Sequence, residues 1–585
     1  MNTKLNHQVH DTDLCVIGAG LAGIAAALAA ARHGAKVILI HDRPVPGGNA
    51  SSEIRMWVRG AGGQYRESGI IAELDLENIY RNPHMNAHLW DTVLYGKLRE
   101  EPNITLLFNC SVCDAETDGN RIMSVTGWQL TTYTWHTVRA KYFADCSGDS
   151  ILAPLTGAKW VTGREARDEF GEPMAPKTAD AKHMGMSCLL QARETDHPVK
   201  FIPPAWAECY PDEASLEGKR HDCVNSRINF WWIEVGGDTA DGITDTEACR
   251  DRLLAIALGV WDHIKNRGDH GAENWELEWI GFLPGKRESR RYIGDYILTA
   301  HDLTVGTPFA DTVAYGGWTM DNHDPAGIDA AGYTSNHSPV AAPYGIPYRV
   351  LYSTNVENLF FAGRNISATH MAMSSTRVMA TCALMGQAVG TAAAIAVERG
   401  LSPRGVYESA IPLLQRKLMD DGCWLPGFRR PARSDIAYSC SDEERDILEN
   451  GMERPLDGVG NYIVPDYPLR MTLPAPVSGA RLRLAFDPDY SRTTINPTGV
   501  NNPYSQTSHR RLNFKPLSMP ADLVRAYEVW AETADGGRRL IVRETENHLS
   551  HPQIPLPDGT AAVELRIEAV WGEGEARLFA CDIID

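Results

Sequence analysis

Two glycine-rich segments, more than three hundred residues apart, constrain this chain most. The first opens on the apolar run Leu14 to Ile17, turns through Gly18-x-Gly20-x-x-Gly23, continues as an alanine-rich stretch to Gly34 and closes on a second apolar run, Val37 to Ile40. Its periodicity predicts a strand, tight turn, helix and strand. The second begins at Asn358. Asn358 to Phe361 predicts a short buried strand, Ala362-Gly363-Arg364 a turn, and the stretch from Ser374 a long helix with Gly386 and Gly390 on a close-packed face.

The chemistry of the first turn is specific. Gly18 permits the sharp turn, Gly20 lets a pyrophosphate approach the backbone, and Gly23 lets the helix pack closely, so the phosphates meet the amides of Leu21 and Ala22 at the positive helix end. The turn therefore binds a dinucleotide. A ribose-binding acid is expected where the second strand ends, and the chain reads Ile40-His41-Asp42-Arg43 there. His41 stands where a glutamate is usual. Because a strand alternates its faces, only one of His41 and Asp42 is expected to reach the ribose, and Asp42 is preferred because a carboxylate accepts from both hydroxyls. The following loop, Pro46 to Ser52, offers the amides and hydroxyls of Gly48, Asn49, Ser51 and Ser52 to a pyrophosphate and a flavin.

With these segments the chain resembles the FAD-dependent oxidoreductases of the glutathione-reductase-like (GR2-type) superfamily. More narrowly it is similar to the bacterial branch that carries GGNASSE, ADCSGD, GKRESRR, GGWxxDxH and AGRNISATH, all present here in that order between about residues 10 and 430. The resemblance implies FAD as cofactor, with Arg43, Val112, Ser147, Gly148, Asp149, Gly363, Arg364, Ser375, Thr376, Val378 and Met379 beside it. Asp149 is left open between a cofactor ligand and a turn cap.

The fold class that follows is α/β. A Rossmann-like FAD-binding domain of the three-layer ββα type (10–155 and 346–400) receives an inserted α+β substrate domain (156–345), and a helical linker (401–460) leads to an all-β, jelly-roll-like sandwich (461–585). The last segment is read from period-2 alternation in stretches such as Arg481 to Phe486, and it faintly resembles carbohydrate-binding modules. A packing role for it is preferred to glycan binding.

A net charge of −19 disfavours nucleic acid and anionic membranes as partners. Arg32, His33, Glu398 and Arg399 interrupt the apolar helices, so no membrane span is expected. The N-terminal residues show no signal-peptide core, which makes the cytoplasm the expected location. Twelve cysteines without a regular framework suit reduced thiols. Cys110 and Cys113 are read as structural members of one strand, Thr105 to Cys113, facing opposite ways, and no Cys/His spacing points to a metal.

For the chemistry, His370 is the first candidate base because it follows AGRNISAT, a purely structural hydrogen-bonding role being nearly as plausible. Arg377 would offset negative charge or clamp an anionic substrate, or else sit in a buried ion pair. Asp321 and His323 of GGWTMDNH form a second acid-base pair, with Trp318 beside them, unless Asp321 only caps its own turn. Of the cationic run Gly285 to Arg291, most members are expected to be structural and one, Arg290 or Arg291, to meet substrate; Arg55 raises the same choice.

The expected activity is hydride transfer between flavin N5 and a polar small molecule, plausibly a sugar or sugar acid. Two alternatives stand: a desaturase or reductase of a carboxylate substrate, and, from another class, a glycan-binding or assembly protein with a structural FAD. The electron acceptor is open, and a homodimer is the base-rate expectation.

Overall fold

The computed structural model describes residues 5–219, 221, 230–455, 460–492, 504–506 and 512–584. Its centre is a seven-stranded sheet. β1 (Asn6–Ile17) pairs in parallel with β2 (Val37–Ile40), which pairs in parallel with β3 (Ile104–Leu107). On the other side, β6 (Thr134–Asp145) runs parallel to β1 along its whole length. The first half of β6 also pairs antiparallel with β5 (Arg121–Gln129), itself paired with β4 (Cys110–Asp118).

Its last three residues, Phe143 to Asp145, pair instead with the returning strand Leu359–Phe361. This brings the distal glycine segment beside the first.

Between β1 and β2 lies α1 (Leu21–Arg32), eleven of whose twelve residues are buried. Small side chains on both partners let α1 meet the distal helix Met379–Arg399 backbone to backbone. A Cβ on Gly386 would stand 2.0 Å from the Ala22 carbonyl oxygen, and one on Gly390 would stand 2.1 Å from that of Ala26. The distal helix corrects one expectation, since it is long and apolar enough by composition to cross a membrane. Its apolar stretch is buried in the protein instead, from Ala380 to Ala396, and Glu398 and Arg399 fall only at its last turn.

The insertion carries its own core. The strands Met186–Glu194, Phe230–Val235, Trp275–Ile280 and Gly285–Lys286 form one sheet, and the helix Thr246–Asp262 packs on it through Leu253, Ile256, Val260 and Trp261. Residues from Tyr292 to Tyr352 join the first core instead.

After the helices Pro403–Ser409 and Ile411–Asp420, two antiparallel sheets of five and three strands share one apolar core that includes Met471, Leu484, Val529, Leu565 and Leu578. This part packs on the first domain. Gln506 donates to the Ala50 carbonyl at 2.9 Å and accepts from the Val58 amide at 3.0 Å, gripping the loop after the first glycines.

The run Thr105 to Cys113 is two strands, β3 and β4, because the chain turns between them at Asn109 with φ +54°. Cys110 is buried and Cys113 exposed. Burial, with Cys113 beside it, pushes the Cys110 thiol up to about 12, which leaves it unreactive as a nucleophile.

Candidate active site

One cavity of about 1450 Å³ runs along the C-terminal ends of β1 and β2 and under the insertion. At one end the wall is Ile40, His41, Asp42 and Arg43; next come Gly18, Gly20, Leu21 and Ala22, then Gly47, Gly48 and Asn49. Val112, Ser147, Gly148, Asp149, Gly363, Arg364, Val378 and Met379 close the middle. The far end holds Arg59, Glu234, Arg287, Arg290, Trp318, Asp321, His323 and Arg377.

The phosphate end fits a dinucleotide. Gly18 adopts φ +98°, and a Cβ there would lie 2.5 Å from the Cys146 carbonyl oxygen, so only glycine turns at this point. A Cβ on Gly20 would meet nothing closer than 4.0 Å, which leaves that backbone open to the cavity. No side chain caps α1 and no acid stands in its first turn, so its leading amides are left for an anion. Gly23 lies behind this surface, packed on Gly18.

His41 is a brace for the turn. Its Nδ1 accepts from the Ala19 amide at 3.1 Å and its Nε2 donates to the Val45 carbonyl at 3.1 Å. Burial and the Arg43 charge lower it to about 4, so it is neutral near pH 7. Asp42 lines the same end of the cavity with 62% of its side chain exposed.

A pH effect follows. The unfolded chain protonates this histidine near 6.5 and the folded one near 4, so stability from the neutral brace is lost as pH falls through that interval. Melting temperature against pH is expected to fall less steeply there in His41→Gln than in the wild type.

Asp149 is an ion-pair hub rather than only a cap. It accepts from Arg364 at 2.7 Å, Lys286 at 2.9 Å and Ser289 at 2.7 Å, tying the insertion to the distal segment. Burial would raise its pKa, but the Arg364 and Lys286 charges overcome this and hold it at about 2. Ser51 and Ser52 turn away from the cavity: the Ser51 hydroxyl donates to the Gly48 carbonyl, and the Ser52 amide to Asp91. Ser375 hydrogen-bonds Tyr344 at 2.6 Å and, like Thr376, is buried off the wall.

At the far end His323 is held between two carboxylates. Nδ1 is 2.7 Å from Glu234 Oε1, and Nε2 is 3.2 Å from Asp321 Oδ1. Arg287 pairs with the same Glu234 oxygen at 2.8 Å, and Arg377 Nη2 donates to the Asp321 carbonyl at 2.9 Å.

Burial would raise both carboxyls. For Glu234 the Arg287 and His323 charges reverse this, giving about 2, and for Asp321 the His323 hydrogen bond and Arg377 hold it far below the carboxylate range. Burial lowers the Arg377 guanidinium, and likewise brings Arg59 down to about 10.

His370 is placed elsewhere. Its Nδ1 lies 2.9 Å from Glu288 and its Nε2 3.0 Å from Asn322 Oδ1, and it does not reach the cavity wall. The helix it begins, His370–Thr376, is buried throughout, which draws His370 into the ion-pair network of Glu288 and Arg291. Arg291 is 1% exposed and bonds Glu165 at 2.6 Å. Arg55 has φ +61°, bonds Gln191 at 2.7 Å and covers Trp279; it too is off the wall.

Arg290 does line the cavity, stacked on Trp160. Sequence reasoning missed Glu234, Arg287 as a wall residue, and Arg59. Glu234 carried no local signal, since its strand lies 89 residues before His323.

The sequence shows no metal spacing, yet the fold draws Glu213, His221, His263 and His270 together, with their ligand atoms within 4.8 Å of one another.

The model of the family "FAD dependent oxidoreductase" matches residues 13–418. No curated protein matches the chain. Among solved structures it is similar to the OxyS anhydrotetracycline hydroxylase from Streptomyces rimosus, at 12% identity and TM-score 0.30, over 70% of this chain and 66% of that one. It is also similar to p-nitrophenol 4-monooxygenase PnpA from Pseudomonas putida DLL-E4, at 10% identity and TM-score 0.32, over 70% and 85%. Likenesses this distant carry no argument about substrate. The uncapped helix, the glycine turn and the long cavity agree with the family match, and the chain belongs to the FAD-dependent oxidoreductases, enzymes that work with bound FAD.

Proposed function

We propose that the enzyme oxidises a hydroxyl-bearing small molecule, a sugar or sugar acid, and that His323 takes the hydroxyl proton. Bound FAD supplies the hydride acceptor. The observation that carries this reading is His323 on the cavity wall between Glu234 and Asp321.

Glu234 accepts from Nδ1, so the proton the ring exchanges is the one on Nε2, where the contact to Asp321 is the longer and weaker of the two. Asp321, at the longer distance, stabilises the positive ring once the proton has moved. Thr334, Ser335 and His337 complete a polar wall there, suited to hydroxyl groups.

The test is the anaerobic spectrum of the holoenzyme with sugars, uronic acids and dicarboxylates. Bleaching of the flavin band by sugars or uronic acids is expected; if neither bleaches it and another class does, the reading is abandoned.

A second reading, dehydrogenation or reduction at a carbon–carbon bond of a carboxylate, is favoured by Arg59, Arg290 and Arg377 on the same wall. Arg290 separates the two, because among the described residues it forms no ion pair whose loss would confuse the result. Arg290→Ala is expected to raise KM for a carboxylate substrate roughly ten- to hundredfold, the worth of a charged hydrogen bond. A neutral sugar would lose little.

A further inference from the structure

We infer that Glu213, His221, His263 and His270 bind a divalent first-row transition ion in the wall of the flavin cavity. The four side chains come from three places: the start of a short turn of helix at 213–216, the loop residue His221, and both sides of the bend that ends the helix Thr246–Asp262. At that bend the helix widens into a π turn, His263–Arg267, a feature that recurs at functional sites. The widened turn and Gly268 bring His263 and His270 onto the same point.

The geometry is that of a ligand set. The ring centroids form a nearly equilateral triangle, 5.2, 5.2 and 5.3 Å on a side, with planes inclined by 65° to 84°. The three Nε2 atoms lie 2.9, 3.0 and 3.0 Å from the Glu213 carboxylate. His263 is fully buried and the other two rings nearly so.

Tautomers decide what fills the centre. His221 Nδ1 is 2.9 Å from the Lys219 carbonyl, and His263 Nδ1 is 2.9 Å from the Tyr210 carbonyl. A carbonyl only accepts, so each Nδ1 carries the ring proton, as in the outer shell of metal-binding histidines. In the neutral tautomer this leaves Nε2 as each ring's acceptor, so both rings turn lone pairs toward the Glu213 carboxylate, and a cation at the point they share takes all of them as ligands.

Three imidazoles with one carboxylate suit zinc, iron, manganese or cobalt rather than magnesium or calcium. A Cβ on Gly268 would stand 2.4 Å from His270 Nε2 and 3.0 Å from His263 Nε2, so glycine there keeps the centre clear. Glu213, His221 and His270 belong to the same cavity wall as His323 and Arg377. Ligands beyond these four would come from the cavity.

The test is the metal content of untagged holoenzyme by inductively coupled plasma mass spectrometry, followed by chelation and titration with Co²⁺, read by its visible ligand-field bands. About one ion per chain and saturation at one Co²⁺ are expected, with azide shifting the bands. His263→Ala and Gly268→Ala are expected to lose the ion while keeping FAD. Should these variants misfold, the wild-type titration decides alone. The inference is overturned if chelated wild type takes up none of Co²⁺, Zn²⁺ or Mn²⁺, or if His263→Ala, folded and yellow, binds Co²⁺ with unchanged bands. Neither readout depends on finding the substrate.

Discussion

Gly23→Ala is expected to leave a chain that purifies without FAD. A methyl group at this position would lie 1.8 Å from the Gly18 carbonyl oxygen, 3.0 Å from its carbon and 3.2 Å from Cys146 Cβ. The turn cannot retreat, because Gly18 itself is set against the Cys146 carbonyl. Nor is the helix free to shift, since Gly386 and Gly390 already pack directly on its backbone at Ala22 and Ala26. Clashes against side chains in a packed core cost about 1–3 kcal/mol, and backbone on both sides leaves less room to relax.

The amides of Leu21 and Ala22 would be displaced from the cavity, and with them the phosphate site. Visible flavin absorbance per chain, with circular dichroism for folding, measures this. Gly96→Ala is the control: it lies within the helix Ala87–Glu100 with nothing within 4 Å, so it should keep FAD and gain up to about 1 kcal/mol in stability. If Gly23→Ala binds FAD as tightly as Gly96→Ala, the assignment of the phosphate turn is wrong.

His323→Gln is expected to slow substrate-dependent flavin reduction by roughly a hundred- to ten-thousandfold, the usual worth of a positioned acid-base group. FAD content should not change, because His323 touches none of the phosphate-end residues. Stopped-flow reduction under anaerobic conditions gives the rate.

His370→Gln supplies the contrast. It removes one of the partners of buried Glu288, so melting temperature should fall, while the rate of flavin reduction per folded chain should stay within a few-fold of wild type by the ordinary scale of changes away from reacting atoms. The reverse pattern, with His370 rate-determining and His323 silent, would move the chemistry from the strand Met320–His323 to the start of the helix His370–Thr376.

The two histidines also show what could be read early. Both follow glycine-containing motifs, and nothing local distinguishes them. The His370–Thr376 helix is buried on every side and carries His370 onto Glu288, whereas the strand Met320–His323 runs along the cavity and sets His323 on its wall. Likewise His41 and Asp42 were separable only as strand neighbours of opposite orientation. The hydrogen bonds of His41 to Ala19 and Val45 decide which one is spent on the backbone.

What the sequence determined by itself was the first strand, turn, helix and strand, the distal strand and helix, and FAD as the ligand. These rest on interactions within about thirty residues, where glycine spacing and apolar period leave few conformations open. The tertiary structure alone decided the rest: Glu234 behind His323, Asp149 joining Arg364 to Lys286, Arg291 sealed in ion pairs, and Glu213 meeting three histidines. Each of these joins segments whose separation along the chain carries no period. Their meeting depends on how the insertion docks over the central sheet, and that is set by the summed packing of two cores rather than by any local run of residues.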